Sequence, residues 1–306
     1  MKYIIGCMLL IAGTFVASAC DICGASAGNQ NLGLLPQMNR HFAGIQYQYN
    51  TFGSVYRYLS DSKPDRHDEQ HYRTVQLWGR YCIGDNWQLF AFVPYRSNVH
   101  ISDNTYTYTN GIGDISLLVN RIIYSTPQCI DSGWRHRLQG GVGIKAPTGK
   151  YIGTSELQKS GVPNMQPGTG SWDVPINLNY TISKNAYGIN VDASYSFTTV
   201  SKDGYKFGNK LNSQLSAFYH IQKGKLFLFP QIGFRYEYSL HDYDNYARRW
   251  LNTQTGGHIL SATVGVQLYL KSVGVQMSYQ KPVYQKYAQG FVTPVGRFDS
   301  GILFLL

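Results

Sequence analysis

Between Asp173 and Thr198 apolar and polar residues change places at every step. Val174, Ile176, Leu178, Tyr180 and Ile182 alternate with Asp173, Asn177, Asn179 and Thr181, with Pro175 alone interrupting the polar set. After Ser183-Lys184-Asn185, Ile189, Val191, Ala193, Tyr195 and Phe197 alternate with Asn190, Asp192, Ser194, Ser196 and Thr198. A period of two sends successive side chains to opposite faces, so the stretch predicts an antiparallel hairpin with one apolar and one polar face. A soluble sandwich would put the polar face in water. An outer-membrane barrel would turn the polar face to a lumen and the apolar face to lipid.

The same alternation recurs in twelve segments, at roughly 41–52, 72–84, 87–97, 113–125, 135–147, 172–183, 186–199, 210–221, 226–240, 258–270, 273–283 and 296–306. Their connections sort by length. Gly84-Asp85-Asn86, Ser183-Lys184-Asn185, Gln222-Lys223-Gly224-Lys225 and Lys271-Ser272 are short, and Thr126 to Trp134 is intermediate. The stretches 53–71, 98–112, 148–171, 200–209, 241–257 and 284–295 are long. Short turns at one end and long loops at the other are the pattern of a transmembrane barrel, whose short turns are periplasmic. A sandwich has no reason to sort its loops in this way. The expected fold is all-β, an antiparallel transmembrane β-barrel of about twelve strands over residues 41–306.

Composition agrees. Charged residues make up 14% of the chain and aromatic residues another 14%, with 25 Tyr and 32 Gly. Soluble proteins carry nearer a quarter charged residues, so the deficit suits a sheet with one face in lipid. The net charge of +10 comes from scattered Lys and Arg rather than a patch, which argues against a nucleic-acid partner. Met1-Lys2, the apolar run Ile4 to Val16 and Ala17-Ser18-Ala19 read as a signal peptide over residues 1–19, which directs the chain out of the cytoplasm. No later run approaches the ~20 apolar residues of a membrane helix. Arg121 falls on the apolar parity of its strand; a lipid-facing Arg at the midplane would cost roughly 2–4 kcal/mol, so an interfacial or bulge position is expected.

The final strand, Asp299-Ser300-Gly301-Ile302-Leu303-Phe304-Leu305-Leu306, resembles the C-terminal signal by which barrel-assembly machinery takes up outer-membrane barrels, with a terminal Leu where Phe is usual. Three further stretches, Gly111-Ile112-Gly113-Asp114, Ile144-Lys145-Ala146-Pro147-Thr148-Gly149 and Gly168-Thr169-Gly170-Ser171-Trp172-Asp173, resemble the outer-membrane barrel family labelled the MetA pathway of phenol degradation. The similarity is most visible over about residues 85–200. The opening Cys20-Asp21-Ile22-Cys23-Gly24 and Gly33-Leu34-Leu35-Pro36 resemble transporter-like proteins of the Bacteroidota. The resemblance implies a transporter of a small solute, aromatic or hydrophobic in the family's label. Through related fatty-acid-type channels it also implies that an N-terminal segment can occupy the lumen; residues 20–40 are read either so or as a periplasmic tail.

On the polar parity, the lumen would receive Arg80, Asn120, Lys145, Asp173, Asn179, Asp192, His220, Arg235 and Glu237 among its candidate lining residues, with Gln46, Gln48, Thr74, Gln76, Gln139, Asn177, Gln231 and Gln276 beside them. Mixed charges in a narrow passage attract polar solutes without repelling either sign. The plainer reading is that Arg80, Lys145 and Arg235 neutralise Asp173, Asp192 and Glu237, because buried charges are usually paired. Cys20 and Cys23 form a C-x-x-C, and Cys82 and Cys129 fall at the same barrel end. Disulfides, a metal or copper contact, and acylation at Cys20 are the open alternatives. No Walker loop, dinucleotide fingerprint or zinc-protease motif occurs, and the histidines form no spaced set with Ser or Asp.

The sequence therefore reads as an outer-membrane channel that passes a small solute passively, with no catalytic role and no cofactor. The partners expected are membrane lipid, a small-molecule solute and the assembly machinery. The alternative is a non-transporting barrel whose loops, or whose C-x-x-C, bind a partner or copper.

Overall fold

The computed structural model describes residues 40–56, 66–102, 105–126, 133–153, 163–245, 248–252 and 255–306. Residues 1–39, and with them the signal peptide, the N-terminal segment, Cys20 and Cys23, lie outside the described residues, as does Cys129.

The wall is a single antiparallel sheet. Its strands are β1 (Phe42–Tyr56), β2 (Arg66–Ile83), β3 (Trp87–Ser102), β4 (Thr105–Ile112), β5 (Ile115–Ser125), β6 (Trp134–Ala146), β7 (Asp173–Lys184), β8 (Tyr187–Thr198), β9 (Lys210–Tyr219), β10 (Ile221–Lys223) and β11 (Leu226–Ser239). A small ribbon, β12 (Tyr243–Asp244) with β13 (Arg249–Trp250), interrupts the wall before β14 (Gly257–Leu270), β15 (Val273–Tyr287) and β16 (Val292–Leu305). β4 and β5 both pair with β3 and share one place in the wall, as β9 and β10 do beside β11. Twelve places result. Pairing of β1 with β16, from Phe42↔Leu305 upward, closes the sheet and leaves no edge in the wall.

The faces follow the alternation. Val174, Ile176, Leu178 and Ile189 point outward and are exposed, while Asp173, Asn179, Thr181, Asn190 and Asp192 are buried inside. An outer surface of Ile, Leu, Val and aromatic residues around a polar interior is stable only where lipid replaces water. The short turns match their chemistry: Gly84 and Asn185 take the left-handed conformation, at φ 59° and 53°, that tight hairpins demand.

Two details depart from the sequence reading. At the long-loop end the strands run further than the alternation predicts: β1 reaches Tyr56, β2 begins at Arg66, and Val99–Ser102 pairs with Thr105–Tyr108 where a loop was expected. In β2 His67 to His71 are polar on both faces, so pairing with β1 persists after the apolar signal has stopped. Arg121 faces outward at the short-turn end of β5, its guanidinium 5.5 Å from the centre of the Trp87 ring, and a bulge follows between Ile122 and Tyr124. The charge is thus held at the interface by a cation–π contact.

Candidate functional site

The lumen is layered, and each layer comes from residues at matching heights on neighbouring strands. At the short-turn end the inward positions are apolar. Phe42, Trp78, Phe90, Phe92, Leu118, Tyr269, Leu303 and Leu305 are buried in one cluster, with Phe227 and Phe229 against it. Phe42 meets Trp78 edge-on at 4.7 Å and Phe218 meets Phe229 at 6.2 Å, so rings of neighbouring strands pack into an apolar layer, the floor of the lumen. Arg80 stands in this floor with its guanidinium 5.2 Å from the Phe42 ring, donating to the Arg40 carbonyl from Nε at 2.9 Å and from Nη2 at 2.7 Å. His220 lies in the break between β9 and β10, stacked 4.9 Å from Phe229. Cys82 is half-buried at this end, its N–H donating to His41 Nδ1 at 3.1 Å.

Above the floor the lining turns to neutral amides. Gln46, Gln48 and Gln76 are buried on one side and Gln267 and Gln280 on the other, whereas the buried Gln88 and Asn120 lie on the short-turn side of Phe90 and Leu118 in their own strands. On the β7–β8 wall, Asn179 donates to Asp192 at 3.0 Å and Asn190 donates to Asn179 at 3.2 Å. Next come charges in pairs. Arg235 Nε lies 2.6 Å from Glu237, and Arg297 Nε lies 2.9 Å from Asp299, with Arg297 also 4.0 Å from Glu237. Arg297 reaches Glu237 over the two intervening strands β14 and β15, which ties β16 to β11.

At the rim of β5–β7 a third group forms. Lys145 Nζ lies 3.3 Å from Asp114, forms an ion pair with Asp173, and donates to Thr169 Oγ1 at 2.6 Å. Asp114 accepts from the Gly149 N–H at 3.1 Å and from the Thr169 N–H at 2.9 Å. Burial pushes the Asp114 carboxyl up, but Lys145 and the two donors of Thr169 outweigh it and hold it below the ordinary carboxylate value. The three glycine-rich stretches picked out in the sequence meet here: a Cβ on Gly149 would stand 2.7 Å from the Gly113 carbonyl carbon and 2.8 Å from Gly168 Cα. Only glycine allows three backbones to approach so closely.

This junction aims the segment 163–171 back into the barrel mouth. Pro167 O accepts from Arg96 at 2.9 Å, and Met165 O accepts from Asn98 at 2.8 Å. Met165 is fully buried against Phe52, Tyr72, Ile259, Tyr287 and Val292, forming a second apolar plug. Outside it Tyr205, Phe207 and Leu251 pack together, and Asp242 accepts from the Tyr205 hydroxyl at 2.7 Å and the Gly208 N–H at 2.6 Å.

Of the candidate lining residues, Lys145 and Asp173 come together at the rim, Arg235 and Glu237 at mid-height, and Asn179 with Asp192 on the β7–β8 wall. Arg80 and His220 belong instead to the floor. Asn120 is fully buried, its amide lying where a Cβ on Gly141 would collide with it. The polar-parity reading omitted Arg96, Asp114, Gln214, Gln267, Arg297 and Met165, and the whole apolar floor. A signal for the floor was present: Leu89-Phe90-Ala91-Phe92-Val93, Leu226-Phe227-Leu228-Phe229 and Leu303-Phe304-Leu305-Leu306 are continuous apolar runs, and a strand that loses its period of two is apolar on both faces. Met165 had no such signal, because it lies in an irregular segment.

A solved outer-membrane channel from Pseudomonas putida F1 superposes on this barrel with a TM-score of 0.64, at 15% identity, over 87% of this chain and 95% of that one. The shared feature is the fold. The β domain of the Bordetella autotransporter BrkA aligns over 87% of this chain and 99% of its own at 8% identity, with a TM-score of 0.49. No family model matches the sequence, and no curated relative does. The chain is an outer-membrane-type β-barrel with transmembrane strands.

Proposed function

We propose that this barrel is an outer-membrane channel that passes a small solute passively, without catalysis or a coupled energy source. The observation that carries the reading is the layered lumen: neutral amides and paired charges form a polar chamber between the aromatic floor and the Met165 plug. A barrel that served only as an anchor would have no need of a polar chamber bounded by two apolar constrictions. Hydrophobic constrictions gate by excluding water and yield when side chains shift. The short-turn end is periplasmic in this reading, and the leader over residues 1–19 supplies export.

We propose a relation to the barrel family labelled the MetA pathway of phenol degradation, a reading supported by the meeting of Gly113-Asp114, Gly149 and Gly168-Thr169 at one junction. Swelling of liposomes that carry the purified protein, in a panel of small polar and aromatic solutes, tests the channel. Permeation above empty liposomes for at least one solute is expected; none for any solute would overturn it.

A further inference from the structure

The chamber is not evenly filled. On the wall formed by β9, β11 and β14–β16 with β1, a recess opens between the aromatic floor and the Arg297–Asp299 pair. Two inward positions on this wall are glycine. In register, Gly301 stands between Gln46 and Gln276, and Gly265 stands between Gln231 and Ser278. At each glycine an amide lies close against the bare backbone: a Cβ would stand 3.0 Å from Gln276 Nε2 at Gly301 and 3.0 Å from Gln231 Nε2 at Gly265.

Six primary amides surround the space, those of Gln46, Gln214, Gln231, Gln267, Gln276 and Gln280. Gln280 is held by Asp299 at 3.1 Å and Gln267 by the Tyr269 hydroxyl at 3.0 Å. Among the described residues the amides of Gln46, Gln231 and Gln276 make no hydrogen bond to another protein group, and Gln46 is only 7% exposed. The one charge at the edge, Asp299, is already engaged by Arg297 Nε at 2.9 and 3.0 Å.

We infer that this recess is a binding site for a small neutral solute bearing hydroxyl groups. A primary amide offers donor and acceptor together, as a hydroxyl does, so several amides around one gap match several hydroxyls. An ion would give up its water for groups without net charge, and buried charges left unpaired are costly. The inference deepens the channel reading, and its flux arm alone rests on that reading.

The test uses saturation-transfer NMR on the detergent-solubilised full chain, with erythritol and with erythronate, the same skeleton ending in a carboxylate. Erythritol is expected to bind and erythronate to bind at least several-fold more weakly. Gln276→Leu is expected to weaken erythritol binding about fivefold, the worth of one neutral hydrogen bond. Gly301→Ala, whose Cβ would stand 3.0 Å from Gln276 Nε2, is expected to weaken it by pushing that amide aside. Equal binding of the two solutes, no erythritol binding, or unchanged binding in both variants, each in protein that keeps its wild-type electrophoretic heat shift, would overturn the inference. Release of both solutes from proteoliposomes separates the two ideas. Binding without flux sinks the channel and spares the site; equal flux of both solutes sinks the site and spares the channel.

Discussion

Asp114 and Thr169 lie 55 residues apart in the chain and share two hydrogen bonds, from the Thr169 N–H at 2.9 Å and from its hydroxyl at 2.7 Å, both to Asp114 Oδ2. Lys145 approaches the same oxygen at 3.3 Å. The pair fixes where segment 163–171 leaves the rim of β5–β7, and hence where Met165 enters the mouth. Closure of the long-loop end therefore depends on a carboxylate that touches no part of the plug itself.

Asp114→Ala is expected to lower barrel stability by about 2–3 kcal/mol, since a buried set of charge-assisted hydrogen bonds is lost and Thr169 keeps orphaned donors. Urea unfolding of the refolded barrel measures it. Single-channel recordings should also show longer open events as Met165 is released; an unchanged midpoint and unchanged gating would refute the anchoring role.

The same contact carries a pH dependence. Because the folded carboxyl sits below its ordinary value of 3.8, it stabilises the closed rim above that value, and the stabilisation fades as pH falls through the lower folded value. Between pH 7 and 5 the junction should be insensitive to acid. Proteolysis of the long-loop end in wild type, compared with Asp114→Asn at pH 7 and pH 3 using an acid-stable protease, should differ at pH 7, and the difference should shrink at pH 3.

Gly149→Ala should be costly although it adds one methyl group. Its Cβ would meet backbone on both sides, at Gly113 and Gly168, so the neighbours cannot turn aside. A loss of about 1–3 kcal/mol, typical of overpacking, is expected in the urea midpoint. Gly84→Ala, in an open turn, provides a comparison in which only the backbone conformation is penalised.

Phe90 is fully buried in the floor, and Phe90→Ala removes a ring from this apolar layer. Stability should fall by about 3–5 kcal/mol while single-channel conductance rises, because the hole admits water. A fall in stability with no rise in conductance would show that the floor is structural packing only.

The outer belt gives a contrast between two positions. Leu178→Arg at mid-belt is expected to cost ~2–4 kcal/mol, whereas Arg121→Leu at the Trp87 interface should change stability far less. Comparable losses at both sites would mean that the membrane midplane lies elsewhere.

The alternation of Val174 to Ile182 against Asp173 to Thr181 was enough to assign the faces of β7, because one residue step reverses a strand's side chains and only one assignment puts every charge inside. Turn residues such as Gly84 and Asn185 fixed where strands reverse, since few residues adopt their backbone conformation. The strand end at the long-loop side of β2 was not legible, because His67 to His71 stay paired with polar residues on both faces; in β3 Val99 and Ile101 still alternate with His100 and Ser102. Counting charges on the inward parity led to an expectation of neutralisation but not to its partners: Lys145 meets Asp173 and Arg235 meets Glu237, while Asp192 takes the Asn179 amide and Arg80 a backbone carbonyl and aromatic rings.

Sequence by itself thus determined the class of fold, the strand count and the face of most residues, since these depend on local periodicity and turn chemistry. Tertiary structure decided what the lumen is. Gln46, Gln231 and Gln276 share one recess only because closure brings their strands together, and Met165 becomes a plug only because Asp114 turns its segment inward. Height and register around a closed barrel are set jointly by all the strands, so residues far apart in the chain become neighbours through closure, which no local pattern encodes.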